Sequence, residues 1–141
     1  MKHTTDEEIA RRLLTEPSYE TWAVVGLAEN PSRDAYRVSR LLQRQLGKRI
    51  VPVHPRAEEV HGERGYASLS DIPFPVDVVD VFVNSERAGA IADEAVRIGA
   101  RAVWFQLGVV DEAAQERVRA AGLDMIMDRC PAIEARAHGL V

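Results

Sequence analysis

The chain has 141 residues, a formal charge of −4 and a single cysteine. That length fits one domain able to bury its core without metals or disulfides, and one cysteine excludes an internal disulfide framework, so a reducing, cytoplasmic setting is the simple expectation. Basic residues interspersed among acids argue against nucleic acid as a partner, and no signal peptide or membrane span is visible. In chain order, Thr5 and Glu8 make a capping box ahead of Ile9, Leu13 and Leu14 at helical spacing. They predict an N-terminal helix over about 6–15 that Pro17 closes and that packs on the edge of the fold.

Residues 22–27, WAVVGL, are apolar without polar alternation, which suits a strand covered on both faces in a parallel sheet. From Asp34 onward Val38, Leu41, Leu42 and Leu46 recur at helical spacing with Arg37, Arg40, Gln43 and Arg44 between them, and residues 48–53 give a second strand. The three elements form a right-handed βαβ crossover. Residues 55–75 gather Gly62, Gly65, Pro73 and Pro75 and read as loop, with at most a short strand near Tyr66. A strand over 76–83 follows, then a helix capped by Ser85 with Ala88, Ile91, Ala92, Ala95 and Ile98 inward, stopped by Gly99. A strand over 102–106, a helix over 111–121 and a strand over 123–127 complete the chain. The order β-α-β-loop-β-α-β-α-β predicts an α/β protein: one Rossmann-like three-layer domain with a mostly parallel sheet of about five strands, helices on both faces, and the extra N-terminal helix.

Ligands of such sheets sit at the carboxyl ends of the strands. The first turn carries Gly26, but Ala28 and Pro31 stand near where a dinucleotide fingerprint would place further glycines. The second strand ends in His54-Pro55-Arg56, where an NAD site wants a carboxylate for the ribose hydroxyls. A guanidinium there matches phosphate oxygens and offers hydroxyls no acceptor. Asn30, Ser32 and Arg33 lie at the start of the following helix, where free N–H groups and the helix dipole attract an anion, and Arg37 lies one turn further in. Together these suit a ligand with several phosphates. Arg33 and Arg37 also fit solvated helix positions, and His54 and Arg56 a plain strand end. Trp22 and Trp104 read as core or interface. His3, His61 and His138 are scattered, so no metal site is expected.

Several ordered motifs carry a resemblance to a known family. They are Gly26-Leu27-x-x-Asn30-Pro31-Ser32-Arg33 with Tyr36-Arg37-Val38, then Pro52-Val53-His54-Pro55, then Gly62 and Tyr66-x-Ser68-Leu69-x-Asp71-Ile72-Pro73. Val76-Asp77-x-Val79-x-Val81-Phe82, Gly99-Ala100-x-x-Val103-Trp104-x-Gln106-x-Gly108 and Asp128-Arg129-Cys130 follow. Across about 22–134 the chain resembles the small CoA-binding proteins, which are similar in turn to the CoA-binding domain of the succinyl-CoA synthetase alpha subunit. The resemblance implies a single CoA-binding domain over 1–141 with coenzyme A as cofactor. It implies that Gly26, Ala28, Asn30, Pro31, Ser32 and Arg33 approach the phosphates. His54, Pro55 and Arg56 would flank the adenosine and its 3′-phosphate, and Val83, Asn84, Gln106, Leu107 and Gly108 would line adenine and the pantetheine arm. The chain departs from the family where a serine is common at Ala28, an asparagine at His54, and basic residues just after Phe82.

No nucleophile–base pair or paired carboxylates with an evident role stand out, and in the synthetase the phosphorylated histidine lies outside the matching domain. The expectation is therefore a non-catalytic binding or regulatory module for CoA or an acyl-CoA, working with a protein partner or as a homo-oligomer. An NADP-dependent oxidoreductase and a ligand-free Rossmann-like interaction module remain as alternatives. Cys130 reads as buried and inert, with a mixed disulfide to CoA as the sharper possibility.

Overall fold

A computed structural model, describing residues 4–141, shows why the run at 22–25 has no polar alternation: β1 (Thr21–Val25) is buried along its whole length. It lies between β2 (Arg49–Val53) and β3 (Val78–Val81), with β4 (Ala102–Phe105) and β5 (Asp124–Ile126) beyond, in the order β2-β1-β3-β4-β5. Every pairing is parallel, so the expected mostly parallel sheet is parallel throughout. Alternate residues of β1, β3 and β4 serve two separate cores. Trp22, Val24, Val78, Trp104 and Ile126 pack with Leu13, Leu14, Leu42 and Ala135 of α1 (Asp6–Thr15), α2 (Asp34–Gln45) and α5 (Pro131–Ala137). Ala23, Val25, Val79, Val81, Val103 and Phe105 pack with Ala88, Ala92, Ala114 and Val118 of α3 (Ser85–Arg97) and α4 (Glu112–Ala120). Those are the helical layers of a three-layer α/β Rossmann-like domain.

Both tryptophans belong to the first core. Their rings meet at 5.8 Å, tilted by 44°, from strands on either side of β3. Each indole N–H is satisfied, Trp22 by Tyr19 O at 2.8 Å and Trp104 by Arg129 O at 2.9 Å, so burial leaves no donor unpaired. α1 occupies its expected bounds, with Thr5 Oγ1 accepting from Glu8 N at 3.2 Å, and it packs on β5 and α5 at the sheet edge. Ion pairs Arg12–Asp124 (2.7 Å) and Arg129–Glu7 (3.2 Å) run along that seam. Among the described residues no helix is long and apolar enough to cross a membrane.

The structure corrects two readings. α5 was not anticipated: it is seven residues long, begins with Pro131 and has no side-chain cap at Cys130. Helix α3 is capped by Asn84, whose side chain accepts from Arg87 N, while Ser85 is its first residue. Ser85 Oγ instead accepts from Val110 N at 2.9 Å and donates to Gly108 O at 3.4 Å, joining α3 to the turn after β4. Two single 3₁₀ turns, Pro17–Tyr19 and Leu69–Asp71, punctuate the connections. His3 lies outside the described residues.

Asp80 breaks the apolar pattern of β3. Its neighbours Val79 and Val81 belong to the second core, so alternation turns Asp80 to the first, where its register partners are Val24 and Trp104. The side chain is fully buried and neither oxygen has a hydrogen-bond partner. Burial therefore drives its pKa well above the carboxylate range, keeping the group neutral. A carboxyl of this kind is least costly below the ordinary carboxylate pKa. It loses stability as pH rises toward the native value, because the unfolded chain ionises first. Asp80→Asn, near-isosteric and non-titrating, should match the parent at about pH 4. It should then become the more stable protein toward about pH 8, the gap growing by up to about 1.4 kcal/mol per pH unit. Urea denaturation across that range checks it; parallel curves would mean that Asp80 has a partner.

Candidate functional site

The site begins where β1 ends. Gly26 has φ +99°, and a Cβ placed there would lie 3.1 Å from Phe82 O and 3.3 Å from Phe82 Cβ. Glycine is needed both for the left-handed backbone and for the close passage. Its N–H donates to Val53 O at 2.8 Å, the last link to β2 before the chain leaves the sheet. Leu27 anchors the turn in the core. Asn30 Oδ1 then accepts from Ser32 N (3.2 Å) and from Ser32 Oγ (2.7 Å), closing a local turn that brings Arg33 to the N-cap of α2. Arg33 makes no side-chain cap bond, so the first turn of α2 keeps free N–H groups at its positive end.

The second wall follows β2. His54 Nδ1 accepts from Arg56 N at 3.2 Å, which leaves the ring proton on Nε2 as a free donor. Burial first, then the charges of Arg56 and Arg87 against the opposing pull of Glu58, hold the His54 pKa below its ordinary value, so the ring is neutral at pH 7. Arg56 makes an exposed ion pair with Glu58 at 3.3 Å. The loop beyond is more ordered than its composition suggests. A Cβ at Gly65 would come 2.1 Å from Glu58 O, so only glycine lets the loop fold back on itself. Tyr66 N donates to Pro52 O and His54 N to Tyr66 O, which is the short strand-like pairing expected near Tyr66. His61 fastens the loop to α2: its Nε2 lies 3.0 Å from both Tyr36 O and Ser39 Oγ, and its ring centroid is 4.4 Å from that of Tyr36. Because Tyr36 O can only accept, Nε2 carries the proton. His61 is a structural clamp.

The third wall comes from the ends of β3 and β4. Phe82, Val83, Asn84 and Arg87 descend into α3, and Gln106 closes β4. Gln106 is 7% exposed and its Oε1 has no partner. Next to it Leu107 is 57% exposed.

Together the walls enclose a cleft of about 910 Å³ at the carboxyl ends of β1–β4. Every residue expected in the site lines it except Pro31, Arg37 and Gly108. Pro31 is exposed within the Asn30–Ser32 turn. Arg37 folds back instead, pairing with Asp34 and donating to Ser32 O at 3.0 Å. It neutralises a carboxylate that would otherwise stand at the anion end of α2. Gly108 shapes the neighbouring turn, its N–H donating to Asp128 Oδ1 at 2.7 Å.

The cleft also contains Arg87 and Glu94, which were not anticipated. Arg87 follows its cap Asn84 by three residues, a spacing visible in the sequence once Asn84 is recognised as the cap. Glu94 accepts from Leu69 N at 2.9 Å and is thereby committed to the wall. Arg33 and Arg87 have no carboxylate partner among the described residues, so the cleft holds an excess of positive charge and donors. That arrangement can take up a polyanion. Cys130 is buried, and Arg129 beside it gives its guanidinium to Glu134 (2.6 Å) and Glu7 (3.2 Å).

Comparison with known proteins follows this geometry. The family model described as CoA binding domain matches residues 20–136. Uncharacterized protein YneT of Bacillus subtilis is 38% identical over 108 residues, spanning 77% of this chain and 79% of that one. A solved structure, a hypothetical protein from Pyrococcus horikoshii OT3, has 34% identity and a TM-score of 0.86 over 97% of this chain and 98% of its own. The alpha subunit of ADP-forming acetate–CoA ligase II from Pyrococcus furiosus is 36% identical over 61 residues, which are 43% of this chain and 13% of the subunit. With its whole sheet and every wall of the cleft inside the matched span, the chain belongs to the CoA binding domain family.

Proposed function

We propose that the protein binds coenzyme A, free or acylated, as a non-catalytic cytoplasmic carrier, sensor or detached subunit whose chemistry comes from a partner. The observation that carries this reading is the meeting, in one cleft, of the uncapped first turn of α2 with arginines on separate walls. Coenzyme A presents anions at two places, a pyrophosphate and a 3′-phosphate. The pyrophosphate sits against the turn of Gly26, Ala28, Asn30, Ser32 and Arg33, where backbone N–H groups and a guanidinium converge. His54, Pro55 and Arg56 flank the adenosine end, with the His54 Nε2–H as a neutral donor. Val83, Asn84, Gln106 and Leu107 line the remainder, and the unpaired Gln106 Oε1 is an acceptor suited to an amide N–H of the pantetheine arm.

Calorimetric titration of nucleotide-stripped protein with CoA, NADP and NAD in parallel tests the reading. CoA should bind and the two dinucleotides should not; binding of none would leave the cleft without its ligand and overturn the proposal. Incubation with acetyl-CoA should release no thiol above the buffer rate, and turnover by purified protein would refute the non-catalytic half.

Gln106→Leu separates two effects of opposite sign. Removal of an unsatisfied buried acceptor should stabilise the free protein by about 1 kcal/mol, while loss of the amide contact should weaken CoA about tenfold. Thermal unfolding and calorimetry on one preparation read both, and a destabilised variant with unchanged affinity would contradict the assignment. His54→Asn keeps a donor and should hold CoA affinity within about threefold, whereas His54→Leu should lose about tenfold. Equal losses in the two would show that the ring's shape, rather than its N–H, is what the ligand meets.

A further inference from the structure

Of the two cleft cations without a carboxylate partner, Arg33 and Arg87, the second stands on the β3 side. Arg87 stands in the first turn of α3, its backbone N–H held by Asn84 Oδ1 at 3.1 Å. Among the described residues its exposed side chain has no carboxylate or carbonyl partner. The other arginines differ: Arg37 is turned away to Asp34, Arg56 shares its charge with Glu58, and Arg33 lies on the α2 side of the cleft. Arg87 reaches the cleft from the β3 side and Arg56 from the β2 side, with β1 between them. At about 4.8 Å per strand, those two walls stand roughly 10 Å apart at the sheet, a gap two long side chains can close on a small group. The strand between them leaves the sheet at Gly26, which clears the space above it. His54 lies in the same gap and senses Arg87 as well as Arg56.

Resting on the CoA reading above, we propose that Arg87 is a specificity-determining residue that selects the 3′-phosphate monoester of coenzyme A, gripping it jointly with Arg56 across the end of β1. A phosphate monoester carries nearly two charges at neutral pH, against one for each phosphate of a pyrophosphate diester. It therefore calls for a second guanidinium beyond the already shared Arg56, and its three terminal oxygens, against two on each phosphate of the pyrophosphate, leave room for two guanidinium forks. The pyrophosphate has its own donors in the turn before α2. Arg87 thus discriminates between ligands more than it holds them in general.

The test is calorimetric titration of nucleotide-stripped parent, Arg87→Gln and Arg87→Lys with CoA and with dephospho-CoA at fixed ionic strength. The parent should prefer CoA by at least about tenfold. Arg87→Gln should lose most of that preference, with CoA weakened about tenfold and dephospho-CoA changed by less than about twofold, and Arg87→Lys should fall between. An unchanged thermal midpoint is expected, because the side chain bonds to nothing in the fold. Equal weakening of both ligands, or an unchanged ratio, overturns the role of Arg87 while leaving CoA binding intact. Failure of the parent to bind either ligand overturns the CoA reading, and this role with it.

Discussion

The passage of Gly26 beneath Phe82 sets the geometry on which the cleft depends. β1 lies between β2 on one side and β3 on the other, and its chain must leave the sheet between them without filling the space above. A side chain at Gly26 would press on the Phe82 backbone at 3.1 Å and force β1 and β3 apart. With hydrogen alone, the turn stays low, Gly26 N still bonds Val53 O, and α2 begins with its N–H groups facing the opening. The turn before α2, the His54 wall and the α3 wall face one another because of that single close approach.

Electrostatics then does the selecting. The protein carries an excess of acids, yet its cleft gathers Arg33, Arg56 and Arg87 while both carboxylates in the lining are already engaged, Asp34 by Arg37 and Glu94 by Leu69 N. Neutrality of His54 follows first from burial and then from the neighbouring positive charges of Arg56 and Arg87, so it contributes direction rather than charge. The unpaired Gln106 Oε1 adds a site of unmet hydrogen bonding on the floor. A cleft of this kind is costly to the empty protein and rewards a ligand that supplies anions at one end and N–H donors at the other.

The strands and four longer helices could be read from sequence because each has a strong pattern, an apolar run in the strands and a helical period in the helices. β1 and β3 are apolar on both faces, and α2 and α3 carry stripes of Leu, Ile and Ala between polar residues. What escaped reading had no such period. α5 is two turns long, and its one signal, Pro131 in the first helical position, follows a cysteine that gives no cap. Asp80 was hidden inside a valine run whose average hydropathy masked one acid. His61 looked like a stray histidine because its partners Tyr36 and Ser39 lie more than twenty residues away. Arg87 was concealed by the assignment of the cap to Ser85 instead of Asn84, which shifted the helix start and with it the side chain's bearing. That the turn after β1 lines the cleft is readable since its residues are adjacent in sequence; Arg37 does not join the lining because its ion pair with Asp34 is local.

Pro52 and Tyr66 carry a further consequence, for how the sheet ends. β2 is an outer strand, and its fourth residue, whose carbonyl points outward, is a proline with no N–H to offer, while that carbonyl is taken by Tyr66 N at 2.9 Å. The folded-back loop thus occupies the carboxyl end of that edge, where Tyr66 takes the hydrogen bonds of Pro52 and His54. A second copy or a client protein that meets this face does so through side chains and loop surface, and the ligand cleft beside it stays free of strand-by-strand aggregation.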